Sequence, residues 1–401
     1  MATRSYLLVI PWSSHFAGGV NIVVKGLAAA LRADTDFEPI IAIETWGERY
    51  GRVVGDELLF QFALIGSDRL SARMRALLLL PWRLWRLHRV LTRLNAEVVN
   101  FHYVTDAALG VALLKRLGLY HGRYVLSFHG SDAQQPSDLV KKMAYRIILK
   151  TADAIVAVSN GLSARVSKEM DIAPTSVSVV LNGTDLNVFR PDATSSSDFV
   201  AHVPSEFVLS ISSYVPRKNL GCLLRAFANL ANRRPSLCLC IAGDDGPELV
   251  PLRQQSAELG LTERVRFYVS LQPEDVAHLI ARARLVVQTA WSEGLPLAVI
   301  EAGAVGTPVA VSDIPGHDEL VQDGITGRMF PPDDDAACTL AMEELLSEPS
   351  AAQAMADRLR ARIVRELTWS SCARNYLEVL GLDARLPSTP PAKTSADSPT
   401  D

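Results

Sequence analysis

Apolar positions along the chain fall into short continuous runs separated by amphipathic stretches. Residues 6–10, Tyr-Leu-Leu-Val-Ile, are one unbroken run, which predicts a strand buried on both faces. Ala17-Gly-Gly19 follows, and apolar residues then recur at helical spacing over 20–31, so this unit reads strand, glycine turn, helix. Runs at 39–43, 98–102, 124–128 and 154–158 predict further strands, with helical patterns at 107–117 and 139–150 between them. From 187 to 206 the pattern weakens, and Pro191, Ser195-Ser-Ser197 and Pro204 predict a linker. The alternation then restarts, with strands at 207–211, 237–242, 265–269, 285–288 and 308–311 and helices at 219–232, 249–259 and 296–305. Such alternation predicts parallel sheets covered on both faces. The expected architecture is α/β, two doubly wound domains facing across a cleft, over 1–190 and 206–365, joined by a linker at 191–205. A last helix, 369–380, aligns Trp369, Ala373, Tyr376 and Leu380 on one face, and the segment 366–385 is expected to pack back on the first domain. Residues 386–401 hold four Pro and six Ser or Thr, and a disordered tail is expected there.

Composition narrows the class. Hydrophobic residues at 48% and charged residues at 21% fit a soluble globular chain and exclude a disordered, collagen-like or disulfide-stapled one. The net charge of −4 shows no basic excess for nucleic acid. Its sign is split: residues 1–190 hold 22 Lys+Arg against 16 Asp+Glu, net +6, and the remainder 18 against 28, net −10. Two domains facing different partners would show this division. Cys222, Cys238, Cys240, Cys338 and Cys372 form no Cys-x-x-Cys pair and have no His at zinc spacing, so buried free thiols in a reducing compartment are expected. The first apolar run is too short for a signal peptide, and no stretch approaches the ~18–20 residues of a membrane span. A cytoplasmic location is expected.

The most informative stretch is Trp291-Ser-Glu-Gly-Leu-Pro-Leu-Ala-Val-Ile-Glu-Ala-Gly-Ala-Val-Gly-Thr-Pro-Val309. A strand ends at Gln288, a polar turn follows, and Pro296 suits the first position of a helix that Gly306 and Pro308 stop. The amides of Leu297 and Ala298 would then open an anion site at a helix N-terminus. Glu293 lies in the turn, and Glu301, inside the helix, could accept hydrogen bonds from vicinal hydroxyls. Taken alone, the pair is weak evidence, and a capping turn with an ordinary helical Glu is the more frequent explanation.

This segment resembles the retaining glycosyltransferases of family 4, whose hallmark is a Glu-x7-Glu pair, here Glu293 and Glu301. Phe128-His-Gly-Ser-Asp132, Val158-Ser159, Asn182-Gly-Thr-Asp185 with Phe189-Arg-Pro191, and Gly243-Asp-Asp-Gly-Pro247 are similar to further motifs of that family, in its order, over residues 5–380. The resemblance implies the GT-B fold, two Rossmann-like domains with the donor held by the second. It implies that Glu293 contacts the donor sugar, that Glu301 holds the ribose, and that the turn Gly294, Leu295, Pro296 with the amides of Leu297 and Ala298 meets the diphosphate. Ser270 and Leu271 complete the implied donor site. His129 would approach the sugar near its anomeric carbon, and Gly18 and Gly19 would let backbone approach the diphosphate. Pro216-Arg-Lys-Asn219 resembles the family's cationic loop, with Arg217 beside Lys218, the implied diphosphate ligand. His129, Glu293 and Lys218 form the implied catalytic set. The chain departs from the family where Ser212-Ser213 replaces the usual Gly-Arg. Losing that charge-assisted partner would cost ~1.5–3 kcal/mol of transition-state stabilisation, or ~10–100-fold in rate.

The function expected is transfer of a sugar, with retention, from a UDP- or GDP-linked donor to a carbohydrate or lipid-linked acceptor, in cell-surface polysaccharide or glycolipid synthesis. Front-face displacement is the implied route, and no metal or separate cofactor is expected. Asp333-Asp-Asp335 is expected to cap a helix. Two alternatives stand beside this reading: a GT-B epimerase of nucleotide sugars, and a catalytically silent nucleotide-sugar-binding partner in a polysaccharide assembly. Between Arg69 and Arg93 there are seven Arg and no acidic residue, interleaved with Leu77-Leu-Leu-Leu80, Trp82 and Trp85, and Pro81 is expected to kink or divide a helix. Two readings remain open here: contact with an anionic membrane surface on its cytoplasmic face, or a domain-capping helix with solvated Arg.

Overall fold

In the computed structural model, which describes residues 4–15, 18–44, 52–54, 57–60, 62, 78–136 and 138–383, two separate sheets carry the chain. The first contains β1 (Arg4–Ile10), β2 (Phe37–Glu44), β3 (Arg52–Val54), β4 (Glu57–Phe60), β5 (Ala96–His102), β6 (Arg123–Phe128), β7 (Ala154–Ala157) and β8 (Val177–Val179). Their order is β3-β4-β2-β1-β5-β6-β7-β8, parallel except between β3 and β4. The second contains β9 (Phe207–Ile211), β10 (Cys238–Gly243), β11 (Val265–Val269), β12 (Val286–Gln288), β13 (Val309–Ser312) and β14 (Arg328–Phe330), all parallel, in the order β11-β10-β9-β12-β13-β14. Strand order reverses between β1 and β5 and again between β9 and β12. In doubly wound sheets such reversals open a crevice beyond the carboxyl ends of the strands.

Helices α1 (Gly19–Asp34), α2 (Leu80–Arg93), α3 (Leu109–Arg116), α4 (Leu139–Thr151) and α5 (Asn160–Met170) belong to the first half. A short α6 (Ser197–Ala201) lies within the expected linker, where Phe199 packs 5.9 Å from the Tyr268 ring and Ala193 is buried. The second half adds α7 (Leu220–Ala231), α8 (Leu249–Glu258), α9 (Pro273–Arg282), α10 (Leu297–Val305), α11 (Asp335–Ser347), α12 (Pro349–Glu366) and α13 (Trp369–Val379). Helix α13 lies on α1, and its Ala373, Tyr376 and Leu377 join Tyr6, Leu8 and Leu27 in one apolar cluster. A Cβ on Gly26 of α1 would collide with the Trp369 indole, so this close approach needs glycine. The two strands of chain between the halves run together: the Thr184 amide donates to the Leu367 carbonyl at 3.0 Å, and Gly183 lies against the Thr368–Trp369 backbone.

Two local expectations are corrected. Pro296 is not the first helical residue but the N-cap of α10, with ψ of 110°. Its ring sets φ, and extended ψ lets the chain enter the helix from the turn. Of the two outcomes expected at Pro81, the kink is not seen: the chain is helical at Leu78, turns at Leu79 and restarts as α2 at Leu80, with Pro81 in the first turn, where its missing N–H breaks no bond. Residues 69–77 of the basic segment and the 386–401 tail lie outside the described residues.

Candidate active site

The second sheet contributes two turns at its strand reversal. After β12, the Thr289 hydroxyl donates to the carbonyls of Lys218 and Asn219 at 3.0 and 3.1 Å, and the Trp291 amide donates to the Arg217 carbonyl at 2.9 Å. These bonds stitch the turn after β12 to the turn after β9. Arg217 and Lys218 occupy a single 3-10 turn closed by Asn219 in the left-handed region, φ 50°. Both cations reach one carboxylate: Arg217 Nη1 lies 3.2 Å from Glu293 Oε2, and Lys218 Nζ contacts Oε1. The Glu293 side chain is only 8% exposed. Burial pushes its carboxyl up, but Lys218 and Arg217 outweigh burial and hold it below the usual carboxylate range. Ser213, at the position where the family's Arg is expected, donates to Asp244 at 3.3 Å. The Gly243–Pro247 turn thus meets position 213 through Asp244.

Helix α10 starts four residues after Glu293. No side chain caps it, so the amides of Leu297 and Ala298 open onto the crevice. One turn further, Glu301 is 6% exposed, and among the described residues no hydrogen bond or ion pair reaches it. Burial alone raises its carboxyl to about 7. A buried carboxyl without a partner is costly, and such groups concentrate at ligand sites.

The first sheet supplies the opposite wall. Gly18 caps α1 with φ 151°, and a Cβ on Gly19 would stand 3.9 Å from Leu297 Cδ1 across the crevice. His129 follows β6. Its amide, with those of Gly130 and Val104, donates to the Asp132 carboxylate at 2.9, 2.8 and 3.1 Å, which holds the loop in one shape. His129 Nε2 lies 3.0 Å from Nδ1 of His102, the last residue of β5. Burial lowers His129 to about 4, so its imidazole is neutral at neutral pH. A Cβ on Gly294 would collide with the His129 carbonyl, so the walls touch here through bare backbone. Ser159, which caps α5, also donates to the Gly294 carbonyl at 2.6 Å, and the Asn160 side-chain and main-chain amides donate to Glu319 at 2.8 and 3.0 Å.

The fold thus gathers Gly18, Gly19, His129, Arg217, Lys218, Glu293, Gly294, Leu295, Pro296, Leu297, Ala298 and Glu301 around one crevice. Ser270 and Leu271 stand further out, beyond β11, two strands from β9, with Ser270 at φ 54° and its amide donating to the Gly243 carbonyl. Sequence reasoning missed His102 and the bond from Ser159 to Gly294. The signal for His102 was present: it closes an apolar strand run just as His129 does. Nothing in the sequence marks the Ser159 bond, which spans 135 residues. Asp334 caps α11 by accepting from the Ala337 amide at 2.8 Å, and Asp333 accepts from Asn219 and the Trp291 indole. Away from the crevice, α2 buries Leu84, Leu87 and Leu91 but leaves Trp82 and Trp85 47% and 53% exposed. Arg86 and Arg89 stack on these rings at 4.7 and 4.9 Å.

Comparison with known proteins places the same residues in context. The model of "Glycosyltransferase Family 4" matches residues 17–188, and that of "Glycosyl transferases group 1" matches residues 195–362. A D-inositol 3-phosphate glycosyltransferase of Nocardioides sp. is 28% identical over 308 residues, 71% of this chain and 66% of the relative. A GDP-mannose-dependent alpha-(1-6)-phosphatidylinositol monomannoside mannosyltransferase of Mycolicibacterium smegmatis is 28% identical over 309 residues, 74% of this chain and 79% of the relative. Among solved structures, a glycosyltransferase from Rickettsia africae superposes with a TM-score of 0.75 at 18% identity, covering 95% of this chain and 99% of that one. Sucrose-phosphate synthase from Thermosynechococcus elongatus superposes at 0.72 with 20% identity, covering 94% and 98%.

Proposed function

The chain belongs to the group 1, family 4 glycosyltransferases, retaining enzymes that use a sugar-nucleotide donor, and from that premise we propose where the donor lies and what this chain's residues do to it. The ribose sits against Glu301, the diphosphate against the amides of Leu297 and Ala298, and the sugar between Glu293 and His129. Lys218 and Arg217 take up the charge that grows on the leaving diphosphate. In front-face displacement the anomeric C–O bond to the diphosphate breaks, the acceptor oxygen bonds on the same face, and a diphosphate oxygen receives the acceptor's proton. The protein's contribution is then positioning and charge stabilisation. Glu293, tied to both cations, orients them and keeps acceptor capacity for sugar hydroxyls.

The observation that carries this reading is Glu301, a buried carboxyl with no partner among the described residues, one turn behind an uncapped helix N-terminus. The test is a thermal-shift panel of UDP- and GDP-linked sugars. At 100 times its dissociation constant, a ligand adds ~2.7 kcal/mol of stability. The shift is expected for the wild type and strongly reduced for Glu301→Gln. A panel with no shift, or an equal shift in both proteins, overturns the assignment.

A second observation bears on the acceptor. Two half-exposed Trp, each with an Arg guanidinium stacked on its ring, lie on α2 of the net-basic first domain. No helix among the described residues is long and apolar enough to cross a membrane. We infer that this face rests on an anionic lipid surface and brings the crevice to a lipid-linked acceptor carrying hydroxyls, on the cytoplasmic side. Each Arg near such a surface contributes ~1 kcal/mol, and Trp inserts at the interface. Wild-type protein should sediment with vesicles containing anionic lipid at low salt and leave them at high salt. The Trp82→Ser, Trp85→Ser double variant should stay in solution. Wild type that ignores such vesicles refutes the surface and favours a soluble carbohydrate acceptor.

A further inference from the structure

The pairing of β5 with β6 sets His102 opposite Ser127, two residues before His129, so two imidazoles meet at the strand ends. Their ring centres are 5.2 Å apart, their planes differ by 30°, and Nδ1 of His102 is 3.0 Å from Nε2 of His129. We propose, resting on the donor-site reading above, that His102 is a positioning residue that fixes the tautomer of His129, so that His129 directs an Nδ1–H donor toward the transferred sugar.

The argument is an accounting of donors and acceptors. His102 is fully buried, and among the described residues no group reaches its Nε2. One proton lies between the two facing nitrogens. If His129 donates it, His102 must carry its own proton on Nε2, where it is a buried donor with no acceptor. If His102 donates through Nδ1, its Nε2 is a bare lone pair. Buried donors without partners are rarer than under-used acceptors. The neighbouring polar groups are already committed to one another. Tyr376, 6.0 Å from the His102 ring, donates to Ser127, Ser127 donates to Asn100, and Asn100 donates to Tyr6. These bonds run among Tyr376, Ser127, Asn100 and Tyr6, and among the described residues none reaches Nε2 of His102.

With His129 Nε2 occupied as an acceptor, its remaining nitrogen carries a proton. The main-chain amide of His129 donates to Asp132, which fixes the backbone from which the ring extends. A neutral ring presenting Nδ1–H can donate to a sugar oxygen but cannot take the acceptor's proton. The diphosphate oxygen therefore remains the proton acceptor, and the step balances without a protein base.

The direct test is the ring-nitrogen spectrum of the histidine-labelled protein, with His129 assigned by loss of its signals in His129→Gln. The expected result is protonated Nδ1 and unprotonated Nε2 on His129. A protonated Nε2 on His129 overturns the proposal. This reading needs no substrate, so it stands or falls apart from the donor-site assignment. Kinetics give the second arm. The amide of His102→Asn can replace Nδ1–H, whereas His102→Leu and His102→Gln cannot place a donor there. Asn is expected to keep kcat within about threefold. Leu and Gln are expected to lower it about tenfold, 1.4 kcal/mol, with donor KM and nucleoside diphosphate affinity unchanged. Equal kcat in all three variants overturns the proposal. If Leu does not fold, the comparison of Asn with Gln decides.

Discussion

Glu301 makes the affinity of the crevice for nucleotides depend on pH, with a sign and size set by its burial. In the ligand-free protein its carboxyl is raised to about 7, because burial disfavours the anion and nothing nearby compensates. Ribose hydroxyls donate best to the ionised form, so binding must expel the proton. If only the anion binds, apparent affinity falls by 1 + 10^(7 − pH). That factor is about 11 at pH 6 and about 1.1 at pH 8, so nucleotide should bind roughly tenfold more tightly at pH 8. The same shift acts on stability. Between the unfolded value near 4.5 and the folded value near 7, the folded chain holds more protons. The contribution of Glu301 to stability therefore falls as pH rises through that window, by roughly 3 kcal/mol in all. Glu301→Gln should remove both dependences and weaken binding at pH 8 by ~10–100-fold, the worth of a charge-assisted hydrogen bond. Calorimetric titration with UDP and GDP from pH 6 to 8 measures this. The variant serves as reference, since the phosphates titrate equally in both proteins. An identical pH slope, or equal affinity at pH 8, would refute the reasoning.

Lys218→Ala should reduce turnover by at least ~100-fold, as loss of a preorganised charge does. Arg217→Ala should cost less, because Arg217 is 52% exposed against 13% for Lys218; steady-state rates of the two variants decide the order. Ser213→Arg should pair with Asp244 and leave the enzyme active, whereas loss of nucleotide binding in calorimetry would show that the crevice has no room for the guanidinium. Gly294→Ala drives a methyl into the His129 carbonyl and should lower kcat at least tenfold while far-UV circular dichroism stays unchanged; full activity would show that the walls need not touch. Gly26→Ala displaces the Trp369 indole and should destabilise the chain by ~1–3 kcal/mol in urea denaturation, the usual cost of overpacking.

Most of the scaffold was legible because parallel strands buried on both faces leave a signal that depends on few residues. The run at 265–269 is matched residue for residue by β11, and the helix expected at 139–150 extends by a single residue in α4. Helices α5, α9 and α12 went unread, since their apolar residues are interrupted by polar and charged ones. The short β3 and β4 pair is set by its partner strands and not by a run of its own. In the crevice, the two Glu and the cationic turn could be named from their resemblance to the family's motifs, not from spacing alone. That Arg217 and Lys218 both reach Glu293 could not, because it depends on a 3-10 turn stitched to Thr289 and Trp291. The His102–His129 contact depends on strand register, and the Ser159–Gly294 bond on how two domains meet; neither is a local property of sequence.

Hydrogen exchange of the wild-type protein with and without saturating UDP or GDP tests the central claim, that the donor nucleotide occupies the crevice between the sheets at the start of α10. The account predicts slowed exchange in the amides of 292–301, including Leu297 and Ala298, and in the turn around Lys218, with the Gly18–Gly19 turn following when the full nucleotide sugar is bound. Protection confined to other parts of the chain, or none with either nucleotide at concentrations that saturate turnover, would contradict it.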